Sequence, residues 1–305
     1  MNALGIDIGG TDTKVALVSA RGDTAMIETF RTGADNARGL IANIREAAQR
    51  CCGDIPIRGA GVAVAGFLNP ERDRLIYNPN LEWLCGFPLR DALSNALDTS
   101  VTLEVDSNAA CLGEYRFGAG RGSHRFLCLV CGTGLGGGMT IDGALLRFIG
   151  ECIGDVGHVV VDRDGPECTC GGRGCAEAVA GAEAIVADAH SGATLREVIA
   201  RARRGEVDAV DALATAGRAI GIAAASLTQI FFPDRIALAG GLAEAGDLVL
   251  APAAAEFRRA VNAGARGRVT MIKASLGWRA TLIGAATPSL CNSETEGDSS
   301  NDGQH

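Results

Sequence analysis

The sequence predicts an α/β protein of two lobes, and three observations carry that expectation. At 305 residues the chain is long enough for one large or two medium domains with real cores. An apolar strand that enters a glycine–threonine turn and leaves along a second strand occurs twice, at residues 3–18 and again from Phe126. The order strand, hairpin, helix, strand, helix also appears twice, which is the pattern of a duplicated α/β unit.

In the first copy, Ala3–Ile8 is an apolar run ending in Gly9-Gly10-Thr11, and Thr13–Val18 alternates. This reads as a β-hairpin whose turn amides and threonine hydroxyl can face a phosphate. It is not a P-loop, because G-x-x-x-x-G-K-[ST] is absent and no helix follows. Ala34–Cys52 has helical spacing, with Leu40, Ile41, Ile44, Ala47 and Ala48 on one side. A strand over 58–66 follows, then a loop to N-P-N-L-E-W at 78–83. Val101–Val105 is a short strand, and Asp106-Ser107-Asn108 can cap the helix A-A-C-L-G-E-Y-R-F-G behind it.

The second copy begins with the strand Phe126–Cys131 and the glycine turn Gly132-Thr133-Gly134. Further on, Ala176–His190, Leu195–Arg203 and Asp208–Ile230 are expected helices, the last aligning Ala212, Leu213, Ala216, Ile220, Ala224 and Leu227. Pro233 ends that helix before the strand Arg235–Gly241. A helix over about Ala251–Val261 would carry Pro252 in its first turn. The strand 269–274 and the helix Ala280–Ala286 complete the pattern. Residues 289–305 are polar and aperiodic and read as a disordered tail.

One stretch carries metal chemistry. Between Gly154 and Glu177 stand His158, Cys168, Cys170 and Cys175, four ligands of the kind structural zinc takes. The intervening Gly171, Gly172 and Gly174 allow three thiolates to converge on one point. Small apolar core cysteines are the alternative, and the segment is too glycine-rich and polar for a core element. Cys51, Cys52, Cys85, Cys111, Cys128, Cys131 and Cys152 lack metal-site spacing and are expected to be packing residues.

Composition narrows the function classes. Hydrophobic content of 47% with 21% charged residues is that of a soluble globular protein. A net charge of −8 disfavours nucleic acid and anionic membranes as partners. No basic, apolar leader opens the sequence and no run of about 18 apolar residues exists. The eleven cysteines therefore read as reduced thiols, and a cytoplasmic location is expected.

The motif G-D-V-G-H followed by C-T-C-G-G-R-G-C-A-E closely resembles the signature of the ROK (repressor, open reading frame, kinase) sugar kinases. The resemblance extends from about residue 3 to 287. E-V-D-S-N-A-A-C-L-G-E resembles the family's E-N-D-x-N-A-A-x-x-G-E, and the two glycine turns match its phosphate motifs. It implies two ribonuclease-H-like lobes of the actin, Hsp70 and hexokinase superfamily, with a nucleotide–sugar cleft between them and a zinc-binding loop at 154–177. The lobes would be 1–118, completed by a C-terminal helix at 278–288, and 119–277.

The activity implied is ATP-dependent phosphorylation of a sugar hydroxyl, normally on C6. Asp106 would be the general base. Asn80, Asp155, His158 and Glu177 would orient the sugar, and Gly9, Gly10, Thr11, Gly132, Thr133 and Gly134 would hold the phosphates. Gly240 and Gly241 match the family's adenosine-side glycines. The implied cofactors are ATP with Mg²⁺, for which Asp7 is a water-mediated candidate, and a structural Zn²⁺ on His158, Cys168, Cys170 and Cys175. Homodimers are common in the family.

Two positions depart from the pattern. Val105 replaces an asparagine, and Asp155 replaces a glutamate. In the family both lie near the sugar's C3 and C4 hydroxyls, which suggests glucose in a looser pocket, a C3-amino sugar such as kanosamine, or a C7-cyclitol; an N-acetylhexosamine is a further alternative. Gly66-Phe67 also differs from the frequent Pro-Gly. Sugar-sensing repressors of the family form a rival class. They carry an N-terminal helix-turn-helix, whereas here the first phosphate strand begins at residue 3. A non-catalytic sugar binder is a second rival, disfavoured by Asp106.

Overall fold

The computed structural model describes residues 1–33, 36–148, 155–190 and 194–291. The chain divides into two compact units, Met1–Ala109 with the segment from Thr281, and Ala110–Phe148 with Cys152–Ala280.

The first unit is built on a five-stranded sheet in the order β3-β2-β1-β4-β7. Its strands are β1 (Asn2–Ile8), β2 (Asp12–Ser19), β3 (Thr24–Arg31), β4 (Ala60–Val64) and β7 (Val101–Val105). A small hairpin, β5 (Phe67–Leu68) with β6 (Leu75–Tyr77), stands apart from it. β1, β2 and β3 pair antiparallel, whereas β4 and β7 join parallel. β4 is buried at all five positions, as a parallel strand covered on both faces must be. β3 has no buried residue and lies at the sheet edge, so it lacks the apolar pattern that would have announced it.

Helix α1 (Ala37–Cys52) buries Leu40, Ile44, Ala47, Ala48 and Cys51, and the Asn36 side chain caps it by accepting from the Arg38 N–H. Ala34 and Asp35 lie outside the described residues. α2 (Leu89–Leu97) buries only Leu89 and Leu93, a signal too thin to read from sequence. α3 (Asp106–Phe117) starts directly at the end of β7. Gly61 lets α9 (Ala280–Cys291) approach closely, because a Cβ there would run into the Ala285 backbone. α9 continues through Cys291 with Ser289 and Leu290 buried, so the first three residues of the expected tail belong to a helix. The remainder, 292–305, lies outside the described residues.

The second unit repeats the sheet, in the order β10-β9-β8-β11-β12. Its strands are β8 (Arg125–Cys131), β9 (Leu135–Ile141), β10 (Ala144–Leu145), β11 (Arg235–Ala239) and β12 (Thr270–Lys273). β8, β9 and β10 again pair antiparallel, and β11 and β12 again join parallel. Both sheets thus have one topology, the physical content of the repeated hairpin seen in sequence.

Residues 176–188 form two short helices, α4 (Ala176–Ala180) and α5 (Ala182–Asp188), where one longer helix is expected. Gly181 is extended at φ −68°, ψ 155° and breaks the run. α6 (Leu195–Arg203) opens on a capping box between Thr194 and Glu197. α7 (Val207–Phe231) is long and apolar enough to cross a membrane by length and composition. Thirteen of its residues are nevertheless buried, in a core shared with α8 (Asp247–Ala260). α8 begins four residues before the expected Ala251, so Pro252 is its sixth residue and not in its first turn. Proline there removes one hydrogen bond to Leu248. Its ring packs where Gly217 of α7 has no side chain, 2.9 Å from an ideal Cβ position.

Candidate active site and metal centre

In each unit the candidate residues gather at the carboxyl ends of the parallel strands, where open α/β sheets bind ligands. In the first unit Ile8, Val64 and Val105 lie in one row of the sheet, since Ile8 pairs with Val64 and Val64 with Val105. Asp7, the Gly9–Thr11 turn and Asp106 therefore stand at one edge.

The turn is tight. The Gly9 N–H donates to the Asp12 carbonyl at 3.1 Å, and the Thr32 hydroxyl donates to the Gly9 carbonyl at 2.7 Å. Among the described residues the Gly10 and Thr11 amides donate no hydrogen bond, so these two, and not Gly9, are available to a phosphate. The Asn80 Cβ lies 3.1 Å from where a Gly10 Cβ would stand. Asn78, which is 5% exposed, holds this loop: its amide donates to the Ala65 carbonyl at 2.9 Å, and its oxygen accepts from the Asn80 N–H at 2.7 Å.

Asp106 is the first residue of α3, and its Oδ1 accepts from the Ser107 N–H at 2.7 Å. Desolvation raises its carboxyl from 3.8 to about 6, the Asp7 carboxylate adds to the rise, and the Ser107 N–H opposes it. Asp7 is itself pushed up by burial, which the Lys14 ammonium 3.4 Å away counters. Val105 is 6% exposed within the apolar core, so its side chain belongs chiefly to packing.

The second unit carries the matching turn. Here the Gly132 N–H donates to the Gly134 carbonyl at 2.9 Å, which leaves the Thr133 and Gly134 amides without an acceptor among the described residues. The Gly132 and Thr133 carbonyls accept from the Ala182 N–H, so the α4–α5 junction braces the turn. Glu177, the second residue of α4, accepts from the Leu135 N–H through Oε2 at 2.8 Å. A Cβ on Gly134 would collide with that carboxylate. Gly240 has φ 85°, and a Cβ on it would meet the Cys131 carbonyl, so β11 ends on a position only glycine fits.

His158, Cys168, Cys170 and Cys175 offer ligand atoms that all lie within 4.8 Å of one another. Cys170 Sγ and Cys175 Sγ are 3.7 Å apart, and Cys168 Sγ is 3.5 Å from His158 Nδ1. A tetrahedron with metal–sulfur bonds of about 2.3 Å and a metal–nitrogen bond of about 2.0 Å has edges of about 3.8 and 3.5 Å, so the donor set fits zinc. A disulfide needs sulfurs about 2.05 Å apart. The loop is shaped by Gly171 and Gly174, both at positive φ, and by the Cys168 N–H bond to the Gly172 carbonyl at 2.9 Å. His158 turns Nε2 toward Asp155, 3.4 Å from its Oδ2. Cys152 and Gly154 lie outside the described residues.

Sequence reasoning passed over Asn78, Lys14 and Glu104. Glu104 is 7% exposed and accepts from the Val105 N–H, the Asn108 amide and Arg72. Its place in the E-V-D-S-N motif, two residues before Asp106, is the signal that could have found it.

A sequence profile of the ROK family matches residues 3–290. The glucokinase of Streptomyces coelicolor is 31% identical over 305 residues, covering 93% of this chain and 96% of the relative. The kanosamine kinase of Amycolatopsis mediterranei is 30% identical over 293 residues, covering 92% and 94%. A ROK family glucokinase from Streptomyces griseus, solved in complex with glucose and AMPPNP, matches with a TM-score of 0.84 at 31% identity, covering 94% of this chain and 99% of that one. The duplicated sheet, the two glycine turns and the Cys/His loop thus stand within a match over residues 3–290, and the chain belongs to the ROK family.

Proposed function

We infer that this protein is an ATP-dependent sugar kinase that phosphorylates the C6 hydroxyl of a hexose, glucose or a C3-modified glucose, with Asp106 as general base. The observation that carries the reading is a carboxylate raised to about 6 at the start of α3, in a chain that matches sugar kinases over nearly its full length.

At neutral pH Asp106 is largely ionised and still basic enough to accept a hydroxyl proton. The sugar oxygen forms its bond to the γ-phosphorus as the bond to the β-phosphate oxygen breaks, the proton goes to Asp106, and ADP leaves. The Gly10, Thr11, Thr133 and Gly134 amides donate to phosphate oxygens, and Gly240 and Gly241 leave room for the ribose and base. Asp7 would hold Mg²⁺ arriving with ATP through water, and the ion would neutralise phosphate charge. Asn80, Asp155, His158 and Glu177 orient the sugar. His158 Nδ1 and the three thiolates would hold zinc, which would fix the imidazole and leave Nε2 protonated toward the sugar or Asp155.

The aspartate at 155 is the observation that favours a C3-amino sugar or a C7-cyclitol as a second reading, and the kanosamine kinase relative supports it. Burial of Val105 in the core weakens the argument from that position. The test is ATP-dependent phosphorylation across glucose, N-acetylglucosamine, N-acetylmannosamine, mannose, fructose, kanosamine and a C7-cyclitol, scored as kcat/KM. A glucose preference of about tenfold or more, worth about 1.4 kcal/mol, makes Asp155 neutral for specificity. The reverse preference makes it a determinant.

A further inference from the structure

We propose that Arg72 and Glu104 form a clamp that positions the 78–80 loop against the Gly9–Thr11 turn; this rests on the sugar-kinase reading, in which Asn80 faces the sugar. Arg72 sits at the tip of the hairpin β5–β6, and Glu104 is the penultimate residue of β7, two before Asp106. The Arg72 guanidinium donates to Glu104 Oε2 at 3.1 Å, while Oε1 accepts from the Val105 N–H at 3.0 Å and the Asn108 amide at 2.9 Å. The Glu104 side chain is 9% exposed and the Arg72 side chain 39%, so a buried carboxylate meets a half-exposed guanidinium in a charge-assisted contact.

Backbone geometry argues that Arg72 is held for its side chain. Its φ is 48°, in the left-handed region that favours glycine. The tip around it is built to present that conformation: Asn69 Oδ1 accepts from the Asp73 and Arg74 N–H groups at 3.0 and 3.1 Å, and the Arg72 N–H reaches the Asn69 carbonyl at 2.8 Å. A turn needing only a left-handed residue would be served by glycine; this one spends the position on a cation.

The contacts continue from tip to site. β6 leads straight into Asn78, whose amide ties the hairpin base to Ala65 and whose oxygen orders the Asn80 N–H. The Asn80 side chain rests over Gly10. The hairpin is thus pinned at its tip to the strand that delivers Asp106 and at its base to the loop that delivers Asn80. Arg72 acts through that loop and is a positioning residue.

Arg72→Ala, Arg72→Lys, Glu104→Gln and the Arg72→Ala/Glu104→Gln double variant are compared with the wild type by steady-state kinetics and by amide hydrogen exchange over 75–80. Arg72→Ala is expected to raise the sugar KM about tenfold or more, the scale of one charge-assisted hydrogen bond, with the ATP KM and kcat within about twofold. Arg72→Lys recovers part of the loss, and the double variant is no worse than the worse single one. Exchange over 75–80 speeds up in Arg72→Ala while that of β1 and β2 does not. Unchanged exchange over 75–80, or a parallel rise of the sugar and ATP KM values, overturns the clamp. Absence of sugar-dependent turnover in the wild type would sink the kinase reading alone, since exchange still decides the clamp.

Discussion

Replacing Asp106 by asparagine should cut turnover about 10²–10⁴-fold and stabilise the fold at neutral pH. Asparagine keeps an oxygen for the Ser107 N–H bond and removes the charge that burial and Asp7 oppose. The carboxyl titrates near 3.8 when unfolded and near 6 when folded. Between those values the folded chain binds more protons, so stability falls as pH rises, and above about 6 the full penalty stands. The difference corresponds to roughly 3 kcal/mol as an upper bound, and residual hydration of a partly exposed carboxylate brings the expected gain to about 1–2 kcal/mol. Urea melts at pH 7.5 and pH 3.5 measure it: Asp106→Asn should exceed the wild type at the higher pH, and the advantage should nearly vanish at the lower, which lies below both the folded and the unfolded value of the Asp106 carboxyl. The same titration predicts an acid limb in kcat/KM with an apparent pKa of about 6. A variant less stable at pH 7.5, or an acid limb near 4, would refute the electrostatic argument.

Three further outcomes are expected. Metal analysis should find one zinc per chain, lost in Cys175→Ala, whose sugar KM rises more than its ATP KM because His158 is no longer fixed. Glu177→Gln keeps an acceptor for the Leu135 N–H, so its melt should stay within about 1 kcal/mol of the wild type while sugar kcat/KM drops about tenfold or more. Gly240→Ala forces a side chain into left-handed backbone against the Cys131 carbonyl, which should cost about 2–4 kcal/mol in denaturant unfolding.

What sequence made legible is what local chemistry dictates. Each glycine turn follows an apolar strand, so both hairpins announce themselves, and the ligand spacing of the Cys/His loop is local as well. Where distant contacts decide, the sequence was mute. β3 is an edge strand with five of its eight residues exposed and none buried, and only its pairing with β2 defines it. Pro252 reads as a first-turn residue, yet α8 starts at Asp247, and the ring packs against Gly217 of α7, a contact no local pattern reports. Gly181 breaks the helix expected over 176–190 where its residue neighbour Ala182 must reach the Gly132 and Thr133 carbonyls. At the candidate site, no spacing rule pairs Arg72 with Glu104, thirty-two residues apart.

The most direct test of the central claim is ADP release by the wild type and by Asp106→Asn, with and without glucose and the other sugars of the panel, alongside sugar binding to both. Wild-type release should depend on sugar, and Asp106→Asn should lose about 10²–10⁴-fold in turnover, the range of one general base, while binding sugar as tightly. Equal ATP hydrolysis with and without sugar, or a variant that turns over within about tenfold of the wild type, would contradict it.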